Sequence, residues 1–235
     1  RESERALSTL MNNLPGMAYR CLYDKSWTML FLSNGCEKLT GYKEEDVIFN
    51  KKVAFADLVF PQDREIGRKE IKEALQNHIH FEIQYRIVSK KKKIKWIWEK
   101  GEGVFDDKGK LLFIEGFIAD ITERKEQELR LNQSRETYQN LVEQSPQGTF
   151  IHDYKGKILY ANRATLDILG IKNLSKVKNL SMFDWILPEY HGQIAKDKDA
   201  ILAGKQVRFK LSKINTEKGT VIDVEYKPIT FVYNG

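Results

Sequence analysis

The sequence has little with which to do covalent or metal chemistry. Only two cysteines, Cys21 and Cys36, occur in 235 residues. They are too few for a disulfide framework and lack a zinc-binding spacing, so both read as reduced thiols of a cytoplasmic protein. The four histidines, His78, His80, His152 and His191, stand at no spacing from Ser, Cys or Asp that makes a nucleophile and its base. A glycine-rich phosphate loop, a paired-carboxylate site and a metal cluster are all missing. Asp106-Asp107-Lys108-Gly109 reads as a turn, not a calcium loop. No run approaches the roughly 18 apolar residues of a membrane span, and no signal peptide is visible. The sequence opens at Arg1, so an upstream segment is expected in the parent protein, with room there for a membrane anchor. No enzyme is expected within these residues.

What is present is 41% hydrophobic and 31% charged, enough apolar material to bury two cores. Its 39 basic and 33 acidic residues leave a charge of +6. Much of that mild excess lies in Lys90-Lys91-Lys92-Lys93 and Lys95, between two apolar strands. With no aromatic interleaving or recognition helix beside it, the run reads as a solvated hairpin turn, and nucleic acid is not an expected partner.

The chain also says nearly the same thing twice. Asp57-Leu58-Val59-Phe60-Pro61 returns 127 residues later as Asp184-Trp185-Ile186-Leu187-Pro188, and Phe105 to Gly109 returns 126 residues later as Phe231 to Gly235. Gly41 answers Gly170, Phe81 answers Phe209, and Leu14-Pro15-Gly16 answers Ser145-Pro146-Gln147-Gly148. A period this long is a whole small domain, so two cores in tandem are expected. The first copy continues past Gly109 through Leu111 to Asp120. The matching closing strand of the second copy would lie beyond Gly235.

Within the first copy, residues 3–14 carry apolar groups at helical spacing and stop at Pro15-Gly16. Strands are expected over 17–22 and 28–32, helical pieces over 36–39, 44–49 and 63–76, then strands over 81–88, 94–101 and 111–119. Ile94, Trp96 and Trp98 share one face at period two, as a half-buried strand requires. The second copy repeats the order, with strands over 149–153 and 158–161, helices through Leu202, and strands over 206–215 and 220–232. Between the copies, Asp120-Ile121-Thr122-Glu123 fits a capping box, in which Asp120 accepts from the amide three residues on and Glu123 reaches back. No glycine or proline follows until beyond Glu143, so a continuous helix is expected.

These segments resemble the PAS family, in the form found in bacterial and archaeal sensors. The resemblance is carried by Asn13 to Arg20, Phe31 to Cys36 with Leu39-Thr40-Gly41-Tyr42, Asp57 to Arg64, Phe81 to Ile87 and Gly116 to Arg124, nearly all of the first copy. In the second it rests on Ser145 to Gly148, Tyr160 to Ala164 and Leu169-Gly170. It implies an α+β fold of two domains, each a five-stranded antiparallel sheet with short helices on one face and a pocket between, joined by a long helix. The expected organisation is a flanking helix over 1–15, a first domain over 16–120, a linker helix over 121–143 and a second domain over 144–235.

Pocket candidates in the first copy are Tyr19, Phe31, Leu39, Phe55, Ile71, Leu75, Phe81, Trp96, Trp98 and Phe117. In the second they are Phe150, Tyr160, Leu169, Phe183, Trp185, Ile201 and Phe209. Each is equally explained as plain core. His78 and His80 fall where haem-binding members of the family place an axial ligand, but an ordinary turn is the preferred reading. Flavin adduct chemistry is not expected either. The segment where light-oxygen-voltage domains keep their cysteine is Asp46 to Lys52 here and holds no thiol, and Cys36 reads as packing. No cofactor or metal is therefore expected.

The resemblance implies a sensory module that binds a small ligand or a protein partner. Asp120, Ile121, Thr122 and Glu123 would relay its state into the linker helix and on to an output domain in the same chain. The expected output is a histidine kinase; the alternatives are a diguanylate cyclase or another output enzyme, and a structural dimerisation spacer without ligand. A homodimer through the flanking and linker helices is expected.

Overall fold

The computed structural model describes residues 15–172, 177 and 180–231. The expected helix over 3–14 and the last residue of the expected strand over 220–232 lie outside the described residues. The chain divides into two compact units, Arg1–Leu131 and Asn132–Gly235.

In the first unit, β1 (Met17–Cys21) and β2 (Met29–Leu32) precede three short helices, α1 (Gly35–Thr40), α2 (Glu44–Val47) and α3 (Phe55–Leu58). The longer α4 (Arg64–Gln76) leads into β3 (Phe81–Val88), β4 (Ile94–Phe105) and β5 (Leu111–Asp120). The five strands form one antiparallel sheet in the order β2-β1-β5-β4-β3. β5 is central because it pairs with both β1 and β4.

Period-two alternation builds the inner face. Phe81, Ile83, Tyr85 and Ile87 of β3 are buried while Glu82 and Gln84 are exposed. α4 answers with Ile71, Ala74 and Leu75 at three- and four-residue spacing, which places them over the sheet. Full burial of an aliphatic side chain such as Ile87 or Ile118 contributes about 1.5–3 kcal/mol before entropy is counted.

β4 runs four residues longer than expected and is turned the other way. Its buried residues are Ile97, Glu99 and Gly101, so Ile94, Trp96 and Trp98 lie on the opposite, outer face. There Trp96 is covered by the guanidinium of Arg86 and the ammonium of Lys125, and Trp98 Nε1 donates to Glu82. Cation and hydrogen-bond partners make a comfortable site for an indole at a wet surface.

The lysine run is the β3–β4 turn. Ser89 and Lys93 close it, and Lys92 takes a left-handed conformation with φ 61°.

In the second unit, β6 (Phe150–His152) pairs with β7 (Ile158–Ala161), and β8 (Lys210–Asn215) pairs with β9 (Val221–Tyr226). Between the hairpins come α6 (Arg163–Leu169) and α7 (Pro188–Leu202); α5 is the linker helix described below. α1 and α6 end alike, on Gly41 and Gly170 in left-handed conformation with φ 79° and 77°, where glycine carries no Cβ penalty. Lys210 faces Tyr226 across the β8–β9 pair as Ile83 faces Glu99, and both hairpins close on five-residue turns. The repeat is therefore 127 residues throughout this hairpin. Among the described residues no strand occupies the place that β5 holds in the first unit. The sheet accordingly stays as two two-stranded ladders, and large side chains such as Phe150, Phe209 and Leu211 remain exposed.

The linker helix α5 (Thr122–Glu143) begins as soon as β5 ends, and none of its residues is buried. Its start is not the expected capping box. Asp120 still belongs to the strand, opposite Ile97, so within the helix its carboxylate reaches Thr122 and not Glu123, accepting from the Thr122 amide at 3.0 Å and hydroxyl at 2.5 Å, while Lys95 pairs with it at 3.1 Å. Glu123 accepts from Gln127 instead of turning back. No helix among the described residues is long and apolar enough to cross a membrane.

Candidate functional site

Between the helices and the inner face of the first unit lies a cavity of about 220 Å³. β1 contributes Tyr19 and Cys21, β3 contributes Phe81, Ile83 and Tyr85, and β4 contributes Glu99. Phe55 and Asp57 of α3, the 3-10 turn residue Asp63, and Arg64, Arg68 and Ile71 of α4 form the other wall, with Lys25 and Trp27 from the β1–β2 connection.

Glu99 is the unusual member. A carboxyl at an inward position of a central strand is 6% exposed, flanked by Tyr19 at 3% and Tyr85 at 7%. Tyr19 donates its hydroxyl to Oε1 in a short contact, and Tyr85 donates to Oε2 at 2.5 Å. Burial pushes the Glu99 carboxyl above the ordinary glutamate range, against the smaller downward pull of the two hydroxyls. Burial and the neighbouring carboxyl push both phenols well up, so they remain donors. Burial likewise raises the Cys21 thiol, which stays protonated.

The helical side carries the opposite charge. Arg64 donates to the carbonyls of Val59 and Asp57, and Arg68 to those of Asp24 and Lys25. The Arg68 guanidinium also stacks 4.5 Å from the Trp27 ring, holding the β1–β2 connection against α4. Asp63 is neutralised by Arg86, which grips it with two nitrogens at 2.6 and 2.9 Å.

Of the sequence-derived pocket candidates, Tyr19, Phe55, Ile71 and Phe81 line this cavity. Leu39 and Leu75 are core residues away from it. Phe31 is 46% exposed on β2, and Phe117, like Trp96 and Trp98, is on the outer side of its strand, since Ile114 and Ile118 take the inner positions of β5. The remaining candidates belong to the second unit. Leu169 is buried there, with Phe183 and Trp185 packed on the same core. Tyr160 donates to Glu143, Ile201 is half-buried, and Phe150 and Phe209 are largely exposed. His78 packs 4.2 Å from the Phe105 ring and His80 is exposed; neither lines the cavity. Cys36 is a buried residue of α1 beside Thr40, its thiol pushed up to about 11 by burial. Glu99 and Tyr85 were missed, because a charged residue at an inward position carries no hydrophobic signal. The one clue was the strict alternation of β3, which puts Tyr85 on the same face as Phe81.

The site is not repeated. By the shared hairpin register, Tyr226 stands where Glu99 does and Ser212 where Tyr85 does. Tyr226 donates to Asp197 of α7 instead, and burial with that contact raises its phenol to about 12.

Residues 29–118 match a family model described as the PAS fold, and residues 136–206 match one described as a PAS domain. The chain is a tandem of two PAS domains. A methyl sulfide methyltransferase-associated sensor from Methanosarcina acetivorans is 26% identical over 136 residues, 57% of this chain and 13% of that protein. The chain thus spans 13% of the length of this curated relative. A sensory box histidine kinase/response regulator from Burkholderia thailandensis is 22% identical with a TM-score of 0.47, covering 60% of this chain and 100% of that one. The N-terminal domain of a diguanylate cyclase with PAS/PAC sensor from Marinobacter aquaeolei is 18% identical with a TM-score of 0.41, covering 47% and 98%.

Proposed function

We propose that this tandem PAS module is a sensor whose first domain binds a small ligand in the Glu99 cavity and passes its state to α5. The observation that carries the reading is the buried Glu99 with its two tyrosines, a polar group maintained at a cavity wall where apolar packing would be more stable. A route outward exists along β4. From Glu99 to Trp96 is three residues, about 10 Å of strand. Trp96 donates its amide to the Thr122 hydroxyl and accepts from the Ile121 amide, at the start of the helix. A ligand that repositions β4 therefore acts on the first turn of α5, provided it binds the two states with different affinity.

The helix has a use for such a signal. Leu129, Leu131, Tyr138 and Leu141 are all more than half exposed, which supports pairing with the same helix of a second copy. The output would be a histidine kinase in the same polypeptide, and the cavity would take neither haem nor flavin.

Native mass spectrometry together with amide exchange tests the reading. A bound small molecule, with altered exchange at 122–131 on its removal, is the expected result. A protein that carries no ligand from its source cells and whose α5 exchange responds to no added metabolite would overturn it.

A further inference from the structure

The cavity has two electrostatic ends, and their chemistry specifies a ligand class; this inference rests on the ligand-binding reading above. Among the described residues Glu99 is the one carboxyl at the sheet end. Its oxygens receive one neutral hydroxyl each, and among the described residues no cation pairs with it. A carboxylate kept from water without a counter-charge is costly, and two phenols offset only part of that cost. At the helix end Lys25, Arg64 and Arg68 line the same space. Neither guanidinium pairs with a carboxylate among the described residues. Each spends two N–H donors on backbone carbonyls out of the five that the group carries. Of the two acids at this end, Asp63 is already held by Arg86, leaving Asp57 alone against three cations.

Size narrows the choice. At about 220 Å³ the space falls below the roughly 300–1,000 Å³ of pockets that enclose drug-sized ligands. An anion alone would leave the buried Glu99 without a cation, and a simple amine would make no use of the donors that Arg64, which is exposed, and Arg68, which is half-buried, still have free. A ligand bearing both groups satisfies both ends.

We propose that the cavity takes a small zwitterion with the chemistry of a free amino acid, its ammonium on Glu99 between the Tyr19 and Tyr85 hydroxyls and its carboxylate on Arg64 and Arg68. Phe55, Phe81 and Trp27 supply apolar wall for its side chain. The second domain, with Tyr226 and Ser212 at the matching positions, does not share this preference.

The test is calorimetric titration of the 235-residue chain with each standard amino acid. For any that binds, the matching amine without the carboxylate and the matching acid without the ammonium are titrated as well. The expected result is binding of at least one amino acid, with each analogue at least tenfold weaker. Glu99→Gln should weaken the amino acid by about thirtyfold, the equivalent of about 2 kcal/mol for losing one partner of a buried charged pair. Arg64→Gln should weaken the amino acid and the acid together while sparing the amine, and it provides the decision should Glu99→Gln fail to fold. An acid that binds as tightly as the amino acid overturns the proposal, as does amino-acid binding indifferent to both substitutions. A bound molecule of other chemistry in native mass spectrometry, with no amino acid binding, sinks this inference and leaves the sensor reading standing. No bound molecule in native mass spectrometry, no binding of any titrated amino acid and no α5 exchange response to any added metabolite sinks both.

Discussion

Tyr19 and Gly116 face each other in adjacent antiparallel strands, and the tyrosine occupies the space that a side chain at 116 would need. A Cβ there would sit 2.8 Å from both Cε1 and the hydroxyl of Tyr19 and 2.5 Å from the Lys100 carbonyl oxygen. Gly101, opposite Gly116 in β4, is constrained by the same hydroxyl. Glycines on two strands thus make room for the phenol that reaches Glu99.

Gly116→Ala should therefore cost about 1–3 kcal/mol, the range for overpacking a tight core, because one of the blocking atoms is backbone and cannot rotate away. The urea midpoint should fall at constant m value. Gly192, inside α7 with nothing within 4 Å of a built Cβ, should behave oppositely. Alanine there should gain up to about 1 kcal/mol of helix propensity.

Glu99 should make the first domain less stable as pH rises. Burial lifts its carboxyl above the unfolded value, so the folded state holds the proton more tightly. Its contribution is fully present below the ordinary glutamate range, near 4.3, and is lost as pH climbs through the folded value. Asp63 has the opposite sign: partial burial raises it, but the Arg86 hydrogen bond is the larger effect and lowers it. Its contribution is lost as pH falls. Urea titrations of wild type and Glu99→Gln across pH isolate the first effect. A difference between the two proteins that does not change with pH would refute it.

Lys92→Gly should stabilise the β3–β4 hairpin. Lys92 holds φ 61°, and the matching position in the second domain is Gly219 with φ 79°. A left-handed L-residue costs about 1–2 kcal/mol, and glycine returns part of that as unfolded-chain entropy. The expected net gain is about 0.5–1 kcal/mol, read as a higher melting temperature. A loss would mean that Lys92 makes a compensating contact.

Much of the fold was legible because the repeated segments are structural punctuation. Gly41 and Gly170 end helices, and the five-residue turns at Ser89 and Thr216 set the hairpin register. The β3 strand could be read residue by residue, since its inner positions are apolar and its outer ones mostly polar. β4 defeated the same reasoning: its outer face carries Trp96 and Trp98, its inner face Glu99 and Gly101, so hydrophobicity pointed the wrong way. The start of α5 failed for a narrower reason. A capping box assumes that the helix begins immediately after Asp120, but the β-ladder holds that residue one position too long, and Ile121 becomes the cap. The cavity itself joins residues from β1, β3 and β4 with α4, a juxtaposition that only the sheet order creates.

Asp120→Ala tests where the signal path meets the helix. Partial burial pushes the Asp120 carboxyl up, but the Thr122 hydroxyl and amide and the Lys95 ammonium at 3.1 Å outweigh it and leave it below the ordinary range. Because more than a third of the group is exposed, its contribution is about 1 kcal/mol or less. It is present above the unfolded value of about 3.9 and fades as pH falls below it. The alanine variant should leave the sheet intact, because the Trp96 bonds to Ile121 and Thr122 remain. Exchange should rise up to about fivefold at the amides of 122–125, the ratio equivalent to about 1 kcal/mol. Lys95→Ala should reproduce part of the rise by removing the ion pair alone. Equal exchange in all three proteins would show that Asp120 does not hold the helix start, and the route from β4 into α5 would then rest on Thr122 and Ile121 alone.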